Sequence, residues 1–286
     1  MMTLKPTLPH LLVEEQVRAA LLEDLGRRGD ITTAATIPAH AQAEAVLVSH
    51  GPGTIAGIEV ARTAFRLMDP DMAFEVLIED GQVVTADTVL ARLTGAAGAM
   101  LSAERVALNM LMHLSGVATA TAQFAAEIAH THARICCTRK TFPGLRLLQK
   151  YAVKVGGGSN HRFGLDDALL IKDNHIAVVG GVAAAIHAAR AAAGHMVMLE
   201  VEADTLEQVR EAVECAPDVI LLDNMRLDML RQAVALVNGR CRLEASGNVD
   251  LTTVRAIAET GVDYISTSRI TMAAMPLDMG LDIAIG

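Results

Sequence analysis

The chain has 286 residues, 52% of them hydrophobic and only 2% aromatic, with no tryptophan. Its 24 Lys and Arg against 33 Asp and Glu give a formal net charge of -9, which excludes the broad basic face of a nonspecific nucleic-acid binder, and two tyrosines leave no stacking platform for single strands. A chain of this length can bury about 75% of its unfolded surface, so an aliphatic core holds it without disulfides or metal.

No apolar run reaches about 18 residues without charge, so no membrane span and no membrane partner are expected. The start, "MMTLKPTLPHLLVEE", lacks the apolar stretch of a signal peptide. Cys136, Cys137, Cys215 and Cys241 form no CxxC pair and no zinc spacing. A reduced, cytoplasmic location is expected.

The first element is "HLLVEEQVRAALLEDLG", helical and stopped at Gly26. "AEAVLVSHGPGTIAGIEVARTAF" and "AFEVLIEDGQVVTADTVLARLTG" predict strands and hairpins with glycine turns, with a helix after Gly57. From Ser102, its expected cap, "SAERVALNMLMHLSGVATATAQFAAEIAHT" predicts one long helix. This part reads as a smaller α/β domain ending near residue 115.

From Ala133 one rhythm repeats. The apolar runs "ARICCTRK", "DALLIKDNH", "MVMLEVE", "DVILLDN", "CRLEASGN" and "VDYISTS" alternate with helical stretches such as "VAAAIHAARAAA" and "TLEQVREAVECA". Continuous apolar strands alternating with helices indicate buried parallel strands in βα units. The result is an open doubly wound sheet or a (β/α) barrel. Polar residues close almost every strand, and a barrel brings all its strand ends to one mouth, which favours the barrel.

Charge concentrates in "TRKTFPGLRLLQKYAVKVGGGSNHRFG", residues 138–164, which holds no acidic residue. Arg139 and Lys140 close the first strand and Lys172 the second; His161 and Arg162 come from the connection between them. Arginine grips carboxylate or phosphate with a planar fork and lysine acts as a point charge, so the set suits a ligand with several anionic groups. Arg146, Lys150 and Lys154 recur at helical spacing and read as a solvated helix face. Gly156, Gly157 and Gly158 read as a helix end and turn, with close approach to an anion as the alternative. Glu202 and Asp223 close the third and fourth strands, where they bind Mg²⁺ or ribose hydroxyls or balance the lysines. Asp173 and His175 line the mouth or the turn. Ser246, Gly247 and Asn248 precede a helix expected near Leu251, offering amides to a phosphate, unless Asn248 or Asp250 caps that helix.

"EDLGRRGDITT", "GPGTIAGIEVA", "SAERVALNMLMHLSGVAT", "TRKTFPGLRLLQKYAVKVGGGSNHRFGLDDALLIKDNHI", "LEVE", "LLDN", "ASGN" and "GVDYIS" together resemble the quinolinate phosphoribosyltransferase family, in collinear order from about residue 15 onward. The resemblance implies an α/β sandwich over residues 1–115, with the tail 271–286 packing back on it, and an incomplete α/β barrel of about seven strands over 116–270. It implies a reaction between quinolinate and phosphoribosyl pyrophosphate that gives nicotinate mononucleotide, CO₂ and pyrophosphate, in de novo NAD biosynthesis. Residues matching Arg105, Arg139, His161, Arg162 and Lys172 hold the dicarboxylate. Lys140, Glu202 and Asp223 match residues that bind the phosphoribosyl substrate and its Mg²⁺, so Lys140, Lys172, Glu202 and Asp223 form the implied catalytic set. Ser246 and Gly247 match a loop facing the 5′-phosphate. A homodimer, or a hexamer built as a trimer of dimers, is implied too, with Arg105 crossing to a neighbouring subunit.

Two positions depart from the family pattern. Phe142 stands where the quinolinate enzymes more often have threonine, as in a related group associated with molybdenum transport; the intact "GGGSNHRFGL" and "IKDNHI" favour the quinolinate enzymes. After "GVDYIS" comes "TSRITMA" in place of a pattern close to "VGALTHS". Ser268 thus replaces a glycine, and its hydroxyl is expected to reach the phosphate. Arg269 either adds a contact or points along the rim. A nicotinate phosphoribosyltransferase would need no second carboxylate clamp, and a silent phosphate-binding subunit would not retain the whole charged set.

Overall fold

The computed structural model describes residues 6–284. In chain order the elements are α1 (His10–Leu25), α2 (Ile31–Thr36), β1 (Gln42–Ser49), β2 (Gly53–Thr54), α3 (Ile58–Met68), β3 (Ala73–Val76), β4 (Val83–Val84), β5 (Thr88–Ala96) and α4 (Ala97–Glu127). There follow β6 (Arg134–Cys136), α5 (Arg146–Val155), β7 (Leu169–Ile171), α6 (Asp173–Val179), α7 (Val182–Ala192), β8 (Leu199–Ala203), α8 (Leu206–Glu214) and β9 (Val219–Asp223). The last are α9 (Leu227–Val237), β10 (Arg242–Ser246), α10 (Val254–Ala258), β11 (Tyr264–Ser266), α11 (Arg269–Met272) and β12 (Met279–Ala284). Among the described residues no single helix is long and apolar enough to cross a membrane.

The chain divides into two compact units. One comprises the chain up to Ala122, Phe142–Gly157 and the segment from Ala273; the other comprises Gln123–Thr141 and Gly158–Met272. Residues 142–157, which the sequence reading assigns to the barrel, therefore cluster with the first unit.

The first unit is built on an antiparallel sheet ordered β12-β1-β5-β3. β12 adds to the edge of β1 from Ser49 opposite Met279 to Glu44 opposite Ala284. Leu47, Leu90 and Leu93 are buried on this sheet. The helix α3 turns Ile58, Ala61 and Phe65 inward at helical spacing, and burying a side chain as large as Phe65 stabilises by about 2–3 kcal/mol. Gly57 begins this helix at φ 102, and the Asp80 carboxylate accepts the N–H of Gly57 at 2.7 Å and of Ile58 at 3.0 Å. Tyr151 of α5 donates its hydroxyl to the same carboxylate at 2.6 Å.

Two expectations are corrected here and a third is met. The strand β5 runs directly into α4 at Ala97, so Ser102 lies inside the helix. Instead of capping, the Ser102 hydroxyl donates to Asp30 at 3.0 Å, and Asp30 is the residue that caps α2. Second, Lys150 is only 2% exposed and Gln149 0%: α5 is covered on more than one side, so spacing alone misplaces Lys150, while Lys154 stays exposed. The Gln149 amide accepts the Phe142 N–H at 2.9 Å and meets His113 Nε2 at 3.0 Å. The glycine triplet is a helix end and a turn, as its sequence indicates: Gly156 caps α5, and it also serves packing. A Cβ at Gly156 would overlap the Ala118 carbonyl oxygen and lie 2.8 Å from the Thr121 Cβ, while Gly157 turns the chain at φ 86.

The second unit is a parallel sheet of six strands ordered β6-β11-β10-β9-β8-β7. Each strand neighbours its successor in the chain from β7 to β11, and β11 then pairs with the first strand, β6. A sheet whose last strand returns to its first is a barrel rather than a doubly wound sheet. It stays unclosed between β6 and β7, where the only further pairing among the described residues is a one-residue parallel bridge, Cys136 to Ser159. The expected count of about seven is met by six strands and that bridge.

Gly156→Ala is expected to lower stability by about 1–3 kcal/mol, the usual cost of forcing volume into a filled contact. Thermal unfolding of the purified variant checks this; an unchanged Tm would remove the helix-crossing role.

Candidate active site

Side chains alternate across a strand, so residues two apart at a strand's end face the barrel interior together. This places Leu170 and Lys172, Leu221 and Asp223, and Glu244 and Ser246 in pairs on one cavity of about 720 Å³. Arg139, Lys140, His161, Arg162, Glu202, Gly247, Ser268 and Arg269 complete its principal lining. The sequence-derived site residues of the barrel thus converge, except Asp173 and His175, which lie outside this lining, His175 accepting the Lys172 N–H at 2.9 Å in the turn. Arg105 does not belong to this lining: it lies on α4 in the first unit, exposed, with Nη2 3.6 Å from Glu104.

One side of the cavity is cationic. Arg162 donates Nη1 to the Ala168 carbonyl at 3.0 Å, and its buried Nε has no hydrogen-bond partner among the described residues. Burial, then the Arg139 charge beside it, lowers the Arg162 pKa, so this pair is primed for an anion. Lys172 Nζ lies 3.1 Å from Glu202 Oε2. The Lys140 side chain is exposed, while its backbone oxygen is held by the hydroxyl of the buried Thr271 at 2.8 Å.

His161 lines the cavity, but both its ring nitrogens are engaged by protein. Nδ1 accepts the Arg162 backbone N–H at 2.7 Å, so the hydrogen sits on Nε2 and points to Glu200 Oε2, also 2.7 Å away. The ring holds the Arg162 backbone amide at the cavity wall.

Acidic residues stand next to Lys172. Glu202, Asp204 and Asp223 bring carboxylate oxygens within 4.8 Å of one another. Burial raises the Glu202 pKa, with Asp223 and Asp173 adding to it against the pull of Lys172; burial and the same two aspartates raise Asp204. Three hard oxygen donors this close together fit a divalent cation such as Mg²⁺. Asp204 was missed in the sequence, although its place two residues after Glu202 was the signal.

A further part of the lining is small and polar. Gly247 has φ 94, and a Cβ there would overlap the Asn224 side chain. Asn224 donates Nδ2 to Asp223 at 2.6 Å and accepts from Asn248 at 3.3 Å, so the loop also orients the acid. The phosphate amides expected at the next helix are otherwise occupied: Asp250 accepts the N–H groups of Thr252 at 2.9 Å and Thr253 at 3.0 Å, and α10 starts only at Val254. On the fourth strand of this arc, mid-strand Glu244 is a buried carboxyl that the sequence reading also passed over, although a charge inside the apolar "RLEAS" marks it.

Residues 30–115 match the family model for the N-terminal domain of quinolinate phosphoribosyl transferase, and residues 117–282 match the model for its C-terminal domain. A probable nicotinate-nucleotide pyrophosphorylase (carboxylating) of Synechocystis is 44% identical over 96% of this chain and 94% of its own length. Its namesake in Bacillus subtilis is 42% identical over 96% and 95%. The crystal structure of NadC from Streptococcus pyogenes superimposes with a TM-score of 0.93 at 40% identity, covering 98% of this chain and 99% of that one.

Proposed function

The chain belongs to the quinolinate phosphoribosyltransferase family, and from that premise we propose the following reaction and residue roles. The protein is a pentosyltransferase that joins quinolinate to the ribose of phosphoribosyl pyrophosphate and decarboxylates the product to nicotinate mononucleotide, serving de novo NAD biosynthesis in the cytoplasm. The observation that carries this reading is the gathering of opposite charges around one cavity: Arg139, Lys140, Arg162 and Lys172 with Glu202 and Asp223, whose carboxylates also approach Asp204, and a small polar loop in the same lining.

Arg139 and Arg162 hold the two carboxylates of quinolinate with their forks, and Lys172 adds a point charge. His161 keeps Arg162 in place. Ser246, Gly247 and Ser268 receive the 5′-phosphate. Glu202 and Asp223, joined by Asp204, would hold Mg²⁺, which supplies charge neutralisation for the departing pyrophosphate. Lys140 stabilises the same leaving group, and Glu202 or Asp223 orients the ribose as its anomeric carbon becomes electron-poor. The pyridine nitrogen takes that carbon and becomes a cation, into which the electrons of the breaking carboxylate bond can flow. The working unit is a homodimer, alone or within a hexamer, with Arg105 serving the neighbouring subunit's site.

The direct test is incubation with quinolinate, phosphoribosyl pyrophosphate and Mg²⁺. Nicotinate mononucleotide and CO₂ should appear in equal amounts, and their absence would refute the reading. Lys140→Ala and Lys172→Ala should lower kcat more than they raise KM, each by more than about tenfold, equal to about 1.4 kcal/mol. Arg139→Lys should chiefly raise the KM for quinolinate, since an ammonium cannot form the fork.

Added Mg²⁺ or Mn²⁺ should raise Tm in the protein alone, and Glu202→Gln with Asp223→Asn should abolish the rise. Mixed dimers of Arg105→Ala and Lys140→Ala subunits should recover about a quarter of the activity, since random pairing leaves one intact site in half of the dimers. No recovery in verified mixed dimers would place Arg105 outside catalysis.

A further inference from the structure

Glu200 and Glu244 are 6% and 4% exposed, and each has one carboxylate oxygen, Oε1, without a hydrogen-bond partner among the described residues. Ligand atoms of the two and of His161 lie within 4.8 Å of one another, and the His161 Nε2 is 2.7 Å from Glu200 but 3.9 Å from Glu244. Two buried carboxylates this close cannot both stay ionised with one neutral imidazole between them. Either a metal ion or a proton must resolve the conflict. His161 decides it: with Nδ1 accepting from Arg162 and the Nε2 hydrogen directed at Glu200, the ring has no lone pair to offer a metal. Glu200 thus takes the one hydrogen of the ring, and Glu244, 3.9 Å from the same nitrogen, is the carboxyl left to carry the proton. Burial, followed by the Glu200 charge, pushes Glu244 in the same direction, against the weaker pull of His161 and of a hydrogen bond with Ser266.

Glu244 also lines the cavity, beside its apolar floor of Leu170 and Leu221. It stands in register with Leu221 of β9, which is itself opposite Glu202 of β8, one layer below Asp223 and Ser246. A neutral acid there does not repel a dicarboxylate, as a carboxylate would. The reaction proposed above also needs one proton that its two substrates do not bring, at the ring carbon from which CO₂ departs.

We propose that Glu244 is the acid that protonates this carbon, an inference that rests on the reaction proposed above. The bond between ring carbon 2 and its carboxylate breaks, CO₂ leaves without the bonding pair, and the pair stays on carbon 2 beside the cationic ring nitrogen. The Glu244 O–H bond then breaks, its proton joins carbon 2, and Glu244 is left as a carboxylate. Solvent restores the proton once the product has left the cavity. No electron acceptor or second reactant is needed.

The test separates the two halves of the reaction. In a single turnover followed by rapid quench, the wild-type protein should release pyrophosphate and form nicotinate mononucleotide together. Glu244→Gln, equal in size but with no transferable proton, should release pyrophosphate at the wild-type rate while nicotinate mononucleotide formation slows about 100-fold, the usual contribution of a general acid. Glu244→Asp should restore part of that rate. Should the glutamine variant not fold, Glu244→Met carries the same expectation. Equal slowing of both steps would assign Glu244 a structural role and overturn the proposal, as would an unslowed second step. If the wild-type protein itself forms no nicotinate mononucleotide, the proposed reaction fails rather than the role of Glu244.

Discussion

A parallel sheet curled into a barrel, open only between β6 and β7, has an inside, and alternate residues of its strands face it. That constraint shapes the whole site. Side chains from separate strands arrive in a space they cannot leave, so each interior charge must find an opposite one or a proton there. Lys172 meets Glu202 at 3.1 Å and His161 meets Glu200 at 2.7 Å. The resting site is therefore already an ion-pair network, and a substrate enters by exchanging partners. A dicarboxylate that recruits Lys172 takes it from Glu202, and a cation on Glu202, Asp204 and Asp223 would lower the cost of that exchange. On this physics the two substrates assist each other's binding.

The strands and the convergence of the site were legible because both follow from local patterning: apolar runs of strand length, with polar residues where the runs end. Arg139, Lys140, Lys172, Glu202 and Asp223 could be placed from that pattern alone. What local spacing could not deliver was anything set by a distant neighbour. Lys150 has the spacing of a wet face and is buried because other elements cover α5. Ser102 looks like a cap and is used to hold Asp30. Asp250 and the loop amides compete for one role, and only the folded geometry shows that the side chain wins. Glu244 was invisible for the converse reason, since a single acid in a strand has no meaning until a second one is found across the barrel.

The departure at Ser268 has a backbone explanation. This residue keeps an ordinary negative φ, unlike Gly247, where only glycine fits. Nothing at 268 therefore demands glycine, and a hydroxyl can take its place on the cavity wall. The Ser268 carbonyl accepts the amides of Thr271 at 3.1 Å and Met272 at 2.7 Å, and the Thr271 hydroxyl spans from Ser268 O at 3.1 Å to Lys140 O at 2.8 Å. One buried threonine thus ties the segment that bears Lys140 to the segment that bears Arg269. The Phe142 departure is of another kind: its ring meets His113 edge-on at 5.6 Å within the first unit.

The pairing of β12 with β1 bears on how the protein is made. On a ribosome the first residues to emerge form α1, the early strands and α3, yet their sheet lacks an edge strand until residues 279–284 have been synthesised. Through that interval β1 carries an unpaired row of amides and carbonyls, the kind of edge on which nascent chains associate. The barrel is translated in between and can close before the sheet that precedes it in sequence is complete. The order of folding can thus run against the order of synthesis, and the last strand, by covering the β1 edge, ends that exposure.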